Sequence, residues 1–420
     1  MKTTKVADLR SVFGNVIWLL SERAIQVALA LIVGGLIARN FGPDLYGKWQ
    51  YAISLLFMAT TLTYLCGSEV IVPKLVQRVD AAGRILGTAF LIRSVASVAG
   101  FLFGQLAVYL WIKDAEVAAF IRWLLLLLLF SEPFAVVVAW FQSRTHIAPV
   151  VKIRLGALAF KALVVVTAFY LSFPAWLIAL AWVGEGFCVM LLLMIIYRQG
   201  AAHKWEFSRA DARSYVKEGF TYWIGLLLMS AFLRLDRFFL AEYVGFEMLG
   251  VYSAAIQISE NWFMLAAILS QSIAPRFIYA KLSMREIDRN IKYLLVLYVT
   301  LAVLGSLLIA LLSPVIISVI FGSAYSGSAN ILRYTAFVSV GVFVDSLFNV
   351  LMLKNGASFW VGIKWLLVLV SALLINYYFV SDFGLYAPIV ALYVGYGVAC
   401  MIGCLYWLRW RKGVFVEAMS

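Results

Sequence analysis

Long apolar runs recur along the chain, over roughly 11–37, 45–66, 85–111, 119–142, 150–171, 175–197, 218–243, 250–274, 291–312, 329–353, 359–380 and 385–408. Each is long enough to cross a hydrocarbon core of ~30 Å as a helix of about 20 residues. Hydrophobic residues make up 64% of the 420 positions and charged residues only 13%, against roughly 45–50% apolar content in an ordinary soluble domain. The expected fold class is therefore all-α integral membrane, with twelve transmembrane helices. The first run follows "MKTTKVADLR", is too long for a secretory signal, and carries no small-residue cleavage site, so it is expected to be retained as the first span.

The net charge of +13 would suit a nucleic-acid partner, but its distribution argues otherwise. With the N-terminus placed in the cytoplasm, 23 of the 34 Lys and Arg residues fall in cytoplasmic ends and loops. Four lie on the opposite side (Arg39, Lys48, Lys113 and Arg122), and seven lie inside spans. That bias is the positive-inside signature. The excess charge encodes orientation, both termini are expected in the cytoplasm, and no nucleic-acid partner is expected. Cys66, Cys188, Cys400 and Cys404 lie in or at the ends of spans, with neither a disulfide framework nor a zinc spacing. His146 and His203 are too far apart in sequence to suggest a metal site. Neither a metal nor a cofactor is expected.

The loop 198–217 is polar, basic and longer than the others, and it divides the spans six plus six. Sliding one half over the other aligns "ARNFGPDLYGKWQYA" (38–52) with "AEYVGFEMLGVYSAA" (241–255) at an offset of 203. Ala38/Ala241, Gly42/Gly245, Gly47/Gly250 and Ala52/Ala255 are identical, and Pro73-Lys74 overlies Pro275-Arg276 nearby. The expected organisation is an N-terminal six-helix bundle over 1–197, a cytoplasmic linker over 198–217, and a C-terminal six-helix bundle over 218–420. An even number of spans gives both halves the same orientation. Parallel repeats of this kind surround a central cavity in transporters that rock one bundle against the other. Within the repeated loop, Gly42 suits a left-handed end to the first span, Pro43 the first turn of the second, and Asp44 that helix's positive end.

The same loop carries a family resemblance. "LIARNFGPDLYGKWQYAISL", after a first span containing Asn15 and Arg23 and before "EVIVPKLVQ", resembles the N-terminal part of the Wzx-type flippases for lipid-linked O-antigen and related polysaccharide units. Those proteins share a superfamily with the MATE drug exporters and the lipid II flippases. Length, span number and the six-plus-six repeat are similar to that family along the whole chain. The second half departs from the pattern, with Phe246 at the equivalent of Pro43 and Leu249 at that of Tyr46. Lipid II flippases usually have two further spans. The resemblance implies an inner-membrane protein that moves an undecaprenyl-diphosphate-linked oligosaccharide from the cytoplasmic to the periplasmic leaflet. It also implies membrane lipids, a coupling proton or sodium ion, and polysaccharide polymerase machinery as partners.

Ionisable residues inside spans cost roughly 2.5–3.5 kcal/mol each on insertion scales, so they face a cavity, a partner or water. Arg333 and Lys364, near span ends, are expected to snorkel to the headgroups. Arg23, Arg93, Lys161, Arg234 and Arg237 lie between about 12 and about 28 Å from the cytoplasmic end at ~1.5 Å per residue. If they face one cavity they form a ladder along which a diphosphate passes, and they are the candidate substrate-binding residues. Glu22, Glu132, Glu185, Asp236, Glu260 and Asp345 are also intramembrane. Pairing of Glu22, Glu132 and Glu185 with Arg23, Arg93 and Lys161 is the structural alternative. Glu22, Asp236, Glu260 and Asp345 are the ion-coupling candidates. Sequence neighbours such as Glu22-Arg23 and Asp236-Arg237 point about 100° apart on a helix, so their main partners are expected on other helices. Asn15, Glu22 and Gln26 form one polar stripe on the first span.

Two other readings compete. A MATE-type exporter of cationic drugs would find its cargo repelled by a ladder of Arg and Lys. A membrane enzyme such as an O-antigen polymerase would need converging catalytic groups. The longest outer loop, about 313–328, offers no acid or base beyond Tyr325, so no catalytic residue is assigned and the chain is not expected to be an enzyme.

Overall fold

The computed structural model describes residues 3–144, 147–200, 204–280 and 283–413, with side chains from Ile25 onward except that of Thr221. All regular structure among them is helical: α1 (Thr3–Thr63), α2 (Ser68–Gln77), α3 (Ala82–Trp111), α4 (Ala115–Leu124), α5 (Leu127–Ser131), α6 (Ala135–Ser143), α7 (Ala148–Tyr170), α8 (Leu177–Gly200), α9 (Arg209–Tyr243), α10 (Phe246–Ala274), α11 (Met284–Ile320), α12 (Ser328–Lys354), α13 (Ser358–Phe383) and α14 (Tyr386–Arg411). The twelve apolar runs fall on these helices, and eight helical stretches among the described residues are by length and apolarity sufficient to cross a membrane.

Three local features depart from a simple helix per run. The first two runs share α1, which is broken at Gly42 (φ 71°, ψ 172°). The positive φ agrees with expectation, but ψ is extended rather than left-handed helical, a combination essentially restricted to glycine. Gly245 repeats the positive φ, at 94°. The run 119–142 is split into α4, α5 and α6, with Pro133 between the last two; proline supplies no N–H and its ring clashes with the preceding turn. Most of the supposed outer loop 313–328 is helix, since α11 continues to Ile320 with Pro314 inside it.

The chain divides into two compact units: Asn40–Gly250 forms one, and Met1–Arg39 with Val251–Ser420 forms the other. The first is continuous in sequence. Its core gathers Ile71 and Leu75 of α2, Leu86 and Ala89 of α3, Val136 and Val137 of α6, Ile153 of α7, Leu193 of α8 and Tyr215 of α9. The helix α9 joins it through Trp223 Nε1, which donates to Thr61 O at 2.9 Å, through the Thr61–Ser230 hydroxyl pair at 3.2 Å, and through Lys74–Glu218 at 2.7 Å. Arg84–Asp211 at 3.0 Å secures its start. Part of 198–217 is thus built into this unit, with Glu206 N donating to Gly83 O.

The second unit takes the first part of α1. Tyr325 Oη donates to Ala38 O at 2.9 Å, and the Arg39 guanidinium caps the end of α11, donating to the carbonyls of Ser318, Val319 and Ile320. A cation over the last carbonyls of a helix satisfies orphan acceptors and meets the negative end of its dipole. The core draws on α10, α11, α12 and α14, including Ala266, Tyr298, Phe343, Leu351 and Tyr406. Small hydroxyls stitch these helices: Ser259–Thr335 at 2.7 Å, Ser306–Ser339 at 2.8 Å and Ser270–Ser346 at 3.0 Å. Small and hydroxylic side chains bring backbones close where lipid gives no hydrophobic drive for helix pairing.

Candidate functional site

Arg93 is an intramembrane cation with backbone as well as side-chain partners. It is 2% exposed. Its Nη2 lies 2.6 Å from Glu132 Oε2, its Nε donates to Glu132 O at 2.6 Å, and its Nη1 donates to Cys66 O at 3.3 Å. The Tyr64 ring lies 4.8 Å from the guanidinium carbon. Both carbonyls belong to breaks in the helical backbone, one beside Pro133 and one between α1 and α2, where Cys66 has φ 61°. Backbone left unpaired at membrane depth must be satisfied from within the protein. One guanidinium does this at two breaks and neutralises the adjacent carboxylate.

Lys161 of α7 meets Glu185 of α8 at 2.6 Å, and its ammonium lies 4.3 Å from the Trp182 ring centroid. Arg234 stacks on Phe57 at 4.6 Å. Arg237 pairs with its sequence neighbour, Nη1 to Asp236 Oδ1 at 3.0 Å, while the same oxygen accepts the Arg237 N–H at 2.8 Å. Adjacent residues can pair although their Cα–Cβ vectors point about 100° apart, because the long guanidinium arm folds back along the helix. Lys364 corrects the snorkelling expectation. It is fully buried, donating to Asp345 Oδ1 at 2.7 Å and Asn349 Oδ1 at 2.5 Å, while Asn349 Nδ2 donates to Asp345 Oδ2 at 2.9 Å. The Trp365 ring centroid lies 4.6 Å from its ammonium. Arg333 is exposed and bonds Ser313 Oγ at 3.1 Å.

Of the predicted substrate contacts, Arg93 and Lys161 each face a different carboxylate. Arg23, with the coupling candidate Glu22, lies outside the residues whose side chains are described. Asp345 is held by Lys364 and Asn349 and Asp236 by Arg237; Glu260 is half-buried on α10, with Tyr396 in electrostatic reach of it and of Asp345. The carboxylates of these pairs differ in access: side-chain exposure is 24% for Glu185 but 9% for Glu132, 8% for Asp236 and 5% for Asp345.

Sequence reading missed one polar cluster. Lys48 lies 2.7 Å from Glu116, 3.0 Å from Asp114 and 3.4 Å from Asp44. Asp114 caps α4 by accepting from Glu116 N and Val117 N. Burial raises its pKa, yet the Val117 N–H bond and the Lys48 ammonium outweigh burial and hold it below the ordinary carboxylate value. The signal was present in "KDAE" after a span, an acid at a helix N-cap.

Comparison with known proteins follows this geometry. Residues 11–330 match the family described as polysaccharide biosynthesis protein. No curated protein sequence matches the chain. Among solved structures, the lipid II flippase MurJ in an inward closed conformation superposes with a TM-score of 0.69 at 13% identity, covering 93% of this chain and 87% of that one. An outward-facing multidrug resistance MATE family transporter of the MOP superfamily gives 0.66 at 12% identity, over 96% of both chains. A MOP superfamily transporter from Pyrococcus furiosus, noted for the reverse polarity of its binding pocket, gives 0.65 at 12% identity, over 96% and 95%. These likenesses establish the fold.

Proposed function

Because the chain belongs to the polysaccharide biosynthesis protein family, we propose that it is a flippase for a lipid-linked oligosaccharide. It moves a polyprenyl-diphosphate-linked repeat unit from the cytoplasmic to the periplasmic leaflet of a bacterial inner membrane by alternating access, with both termini cytoplasmic. The observation that carries this reading is the family match over residues 11–330 on a fold shared with a lipid II flippase. Twelve spans in two parallel six-span repeats, as the sequence suggests, suit rocking about an axis along the membrane normal.

Side-chain geometry supports a choice among the cations for contact with the diphosphate. Arg93 is committed to backbone carbonyls and Lys364 to a buried triad, so both serve the fold. Beside Arg234 and Arg237, Lys161 is the described candidate best placed, because its carboxylate partner is accessible and a phosphate can compete with it for the ammonium. Arg23 stays a candidate on sequence grounds. The candidates for coupling to a proton or sodium ion are Glu22, Asp236, Glu260 and Asp345, of which Asp345 is paired with Lys364 and Asp236 with Arg237. A polysaccharide polymerase takes the product.

The test is deletion of the gene. Lipid-linked repeat units should accumulate on the cytoplasmic face, and the wild-type chain should restore the surface polymer. Lys161→Met should restore it poorly while inserting normally. Absence of accumulation in the deletion strain would refute the flippase reading, and full export by both Lys161→Met and Arg23→Ala would remove the diphosphate contacts.

A further inference from the structure

Arg333 lies in the second turn of α12, and its side chain is exposed. Its Nε donates to Ser313 Oγ at 3.1 Å and its Nη1 to Asn330 Oδ1 at 3.3 Å; among the described residues no carboxylate pairs with it and Nη2 has no protein acceptor. Ser313 is fully buried on α11, which ends at Ile320. At ~1.5 Å per residue the guanidinium is thus anchored about 10 Å below the end of that helix. An exposed cation at such a depth, aimed by two neutral side chains, calls for an anion from outside the protein.

Beside it runs an apolar groove in the same compact unit. Ile375, Phe379 and Phe383 form a four-residue stripe on α13, and Tyr386, Ala387 and Val390 face them from α14 around a cavity of about 250 Å³ lined by apolar atoms. The helices turn back at Gly384 (φ 52°), so the groove starts at the hairpin end and runs from Phe383 to Ile375, about 12 Å along α13. One leaflet of a ~30 Å hydrocarbon core is about 15 Å deep. The groove therefore has the length of one lipid chain in one leaflet. Tyr334, next to Arg333, joins the two features: its ring lies 6.0 Å from that of Tyr386, and its carbonyl accepts from Tyr393 Oη at 2.7 Å. Asp382 is the one acid of α11 to α14 near this end, and the exposed Arg39 over the last carbonyls of α11 offsets it.

We propose that this is a binding site for an anionic glycerophospholipid of the leaflet opposite the basic loops, with its phosphate on Arg333 and one acyl chain in the groove between α13 and α14. A phosphate matches the planar fork of an arginine and supplies the missing counter-charge. The dimensions select a glycerophospholipid, because the groove ends within one leaflet and a long polyprenyl chain would overrun it. Bound there, the lipid ties α12 to the hairpin of α13 and α14.

The test titrates the detergent-solubilised full chain with phosphatidylglycerol and reads it by native mass spectrometry. One lipid should bind ahead of the rest. Arg333→Gln, which removes the charge, and Val390→Trp, which fills the groove, should each weaken that first step roughly tenfold. Leu102→Trp, at a similarly exposed position on α3, should not. First-step binding unchanged in either site variant would overturn the proposal. Displacement of the lipid by inorganic phosphate would reduce the site to a lone guanidinium, and stronger binding of undecaprenyl phosphate would assign the groove to a polyprenyl chain; either result overturns it. Should the variants fail to accumulate, the wild-type chain decides in vesicles of phosphatidylethanolamine and phosphatidylglycerol, the latter carrying a diazirine on one acyl chain. Cross-links should fall on peptides covering 375–390, and cross-links confined to other segments would overturn the site. None of these readouts involves export, so the site and the flippase reading fail independently.

Discussion

Replacing Lys364 with methionine removes one partner of a triad in which Lys364 is fully buried and the Asp345 side chain is 5% exposed. The carboxylate is left charged or forced to bind a proton in an apolar bundle, and Asn349 loses an acceptor role at 2.5 Å. Breaking a buried pair on one side costs about 3–5 kcal/mol, whereas an exposed or snorkelling lysine is worth at most ~1 kcal/mol. At roughly 2–4 °C per kcal/mol for a unit of this size, the midpoint of thermal unfolding should fall by about 6–20 °C. Tryptophan fluorescence of the detergent-solubilised protein measures it, and Asp345→Leu should behave alike. The triple variant Lys364→Met, Asp345→Leu, Asn349→Leu removes every member at once and should recover to within about 1 kcal/mol of wild type, because replacing a whole buried ionic group by apolar residues is near neutral. Single variants that shift the midpoint by less than ~2 °C, or a triple variant as damaged as the sum of its parts, would refute the reasoning. Loss of gradient-driven export in a stable triple variant would support ion coupling at Asp345.

Arg93→Lys should destabilise by about 2–4 kcal/mol despite keeping the charge, because an ammonium cannot span Glu132 and the Cys66 carbonyl as the planar guanidinium does; the same unfolding measurement checks it, and a shift within error would show that the two helix breaks do not need the clamp. Asp114 supplies a pH prediction. Its folded pKa is depressed, so its stabilisation is present above the unfolded carboxylate value and is lost as pH falls through the folded one. Proteolysis of the 111–117 loop should be unchanged from neutrality down to about pH 4 and rise below it. Asp114→Asn, which keeps the cap without the charge, should flatten that dependence; an equal acid response in both proteins would assign it elsewhere.

Hydropathy and the charge bias made the helices legible, and the 203-residue offset aligned the positive-φ residues Gly42 and Gly245. What the sequence hid was rotation and long-range partnership. Depth along a span placed Lys364 near a membrane face, yet its direction about the helix axis sends it inward to Asp345. The single run 119–142 concealed a break although Pro133 stood within it, because hydropathy is blind to a missing N–H. Nothing local to Arg93 indicates that Cys66, 27 positions earlier, presents it with a carbonyl. Side-chain contacts between distant positions join α9 to α2 and α3, and the part of α1 at Arg39 to the end of α11.

That last arrangement has a consequence for synthesis. The unit spanning 40–250 is complete once Gly250 has been made, but Arg39 and Ala38 bond groups 281 and 287 positions downstream, at Ile320 and Tyr325. At 5–20 residues per second that interval is roughly 15–60 s. Through it the Arg39 guanidinium and the Ala38 carbonyl wait for the groups that hold them in the finished protein, so the contacts that seat this part of α1 on the end of α11 are among the last to form.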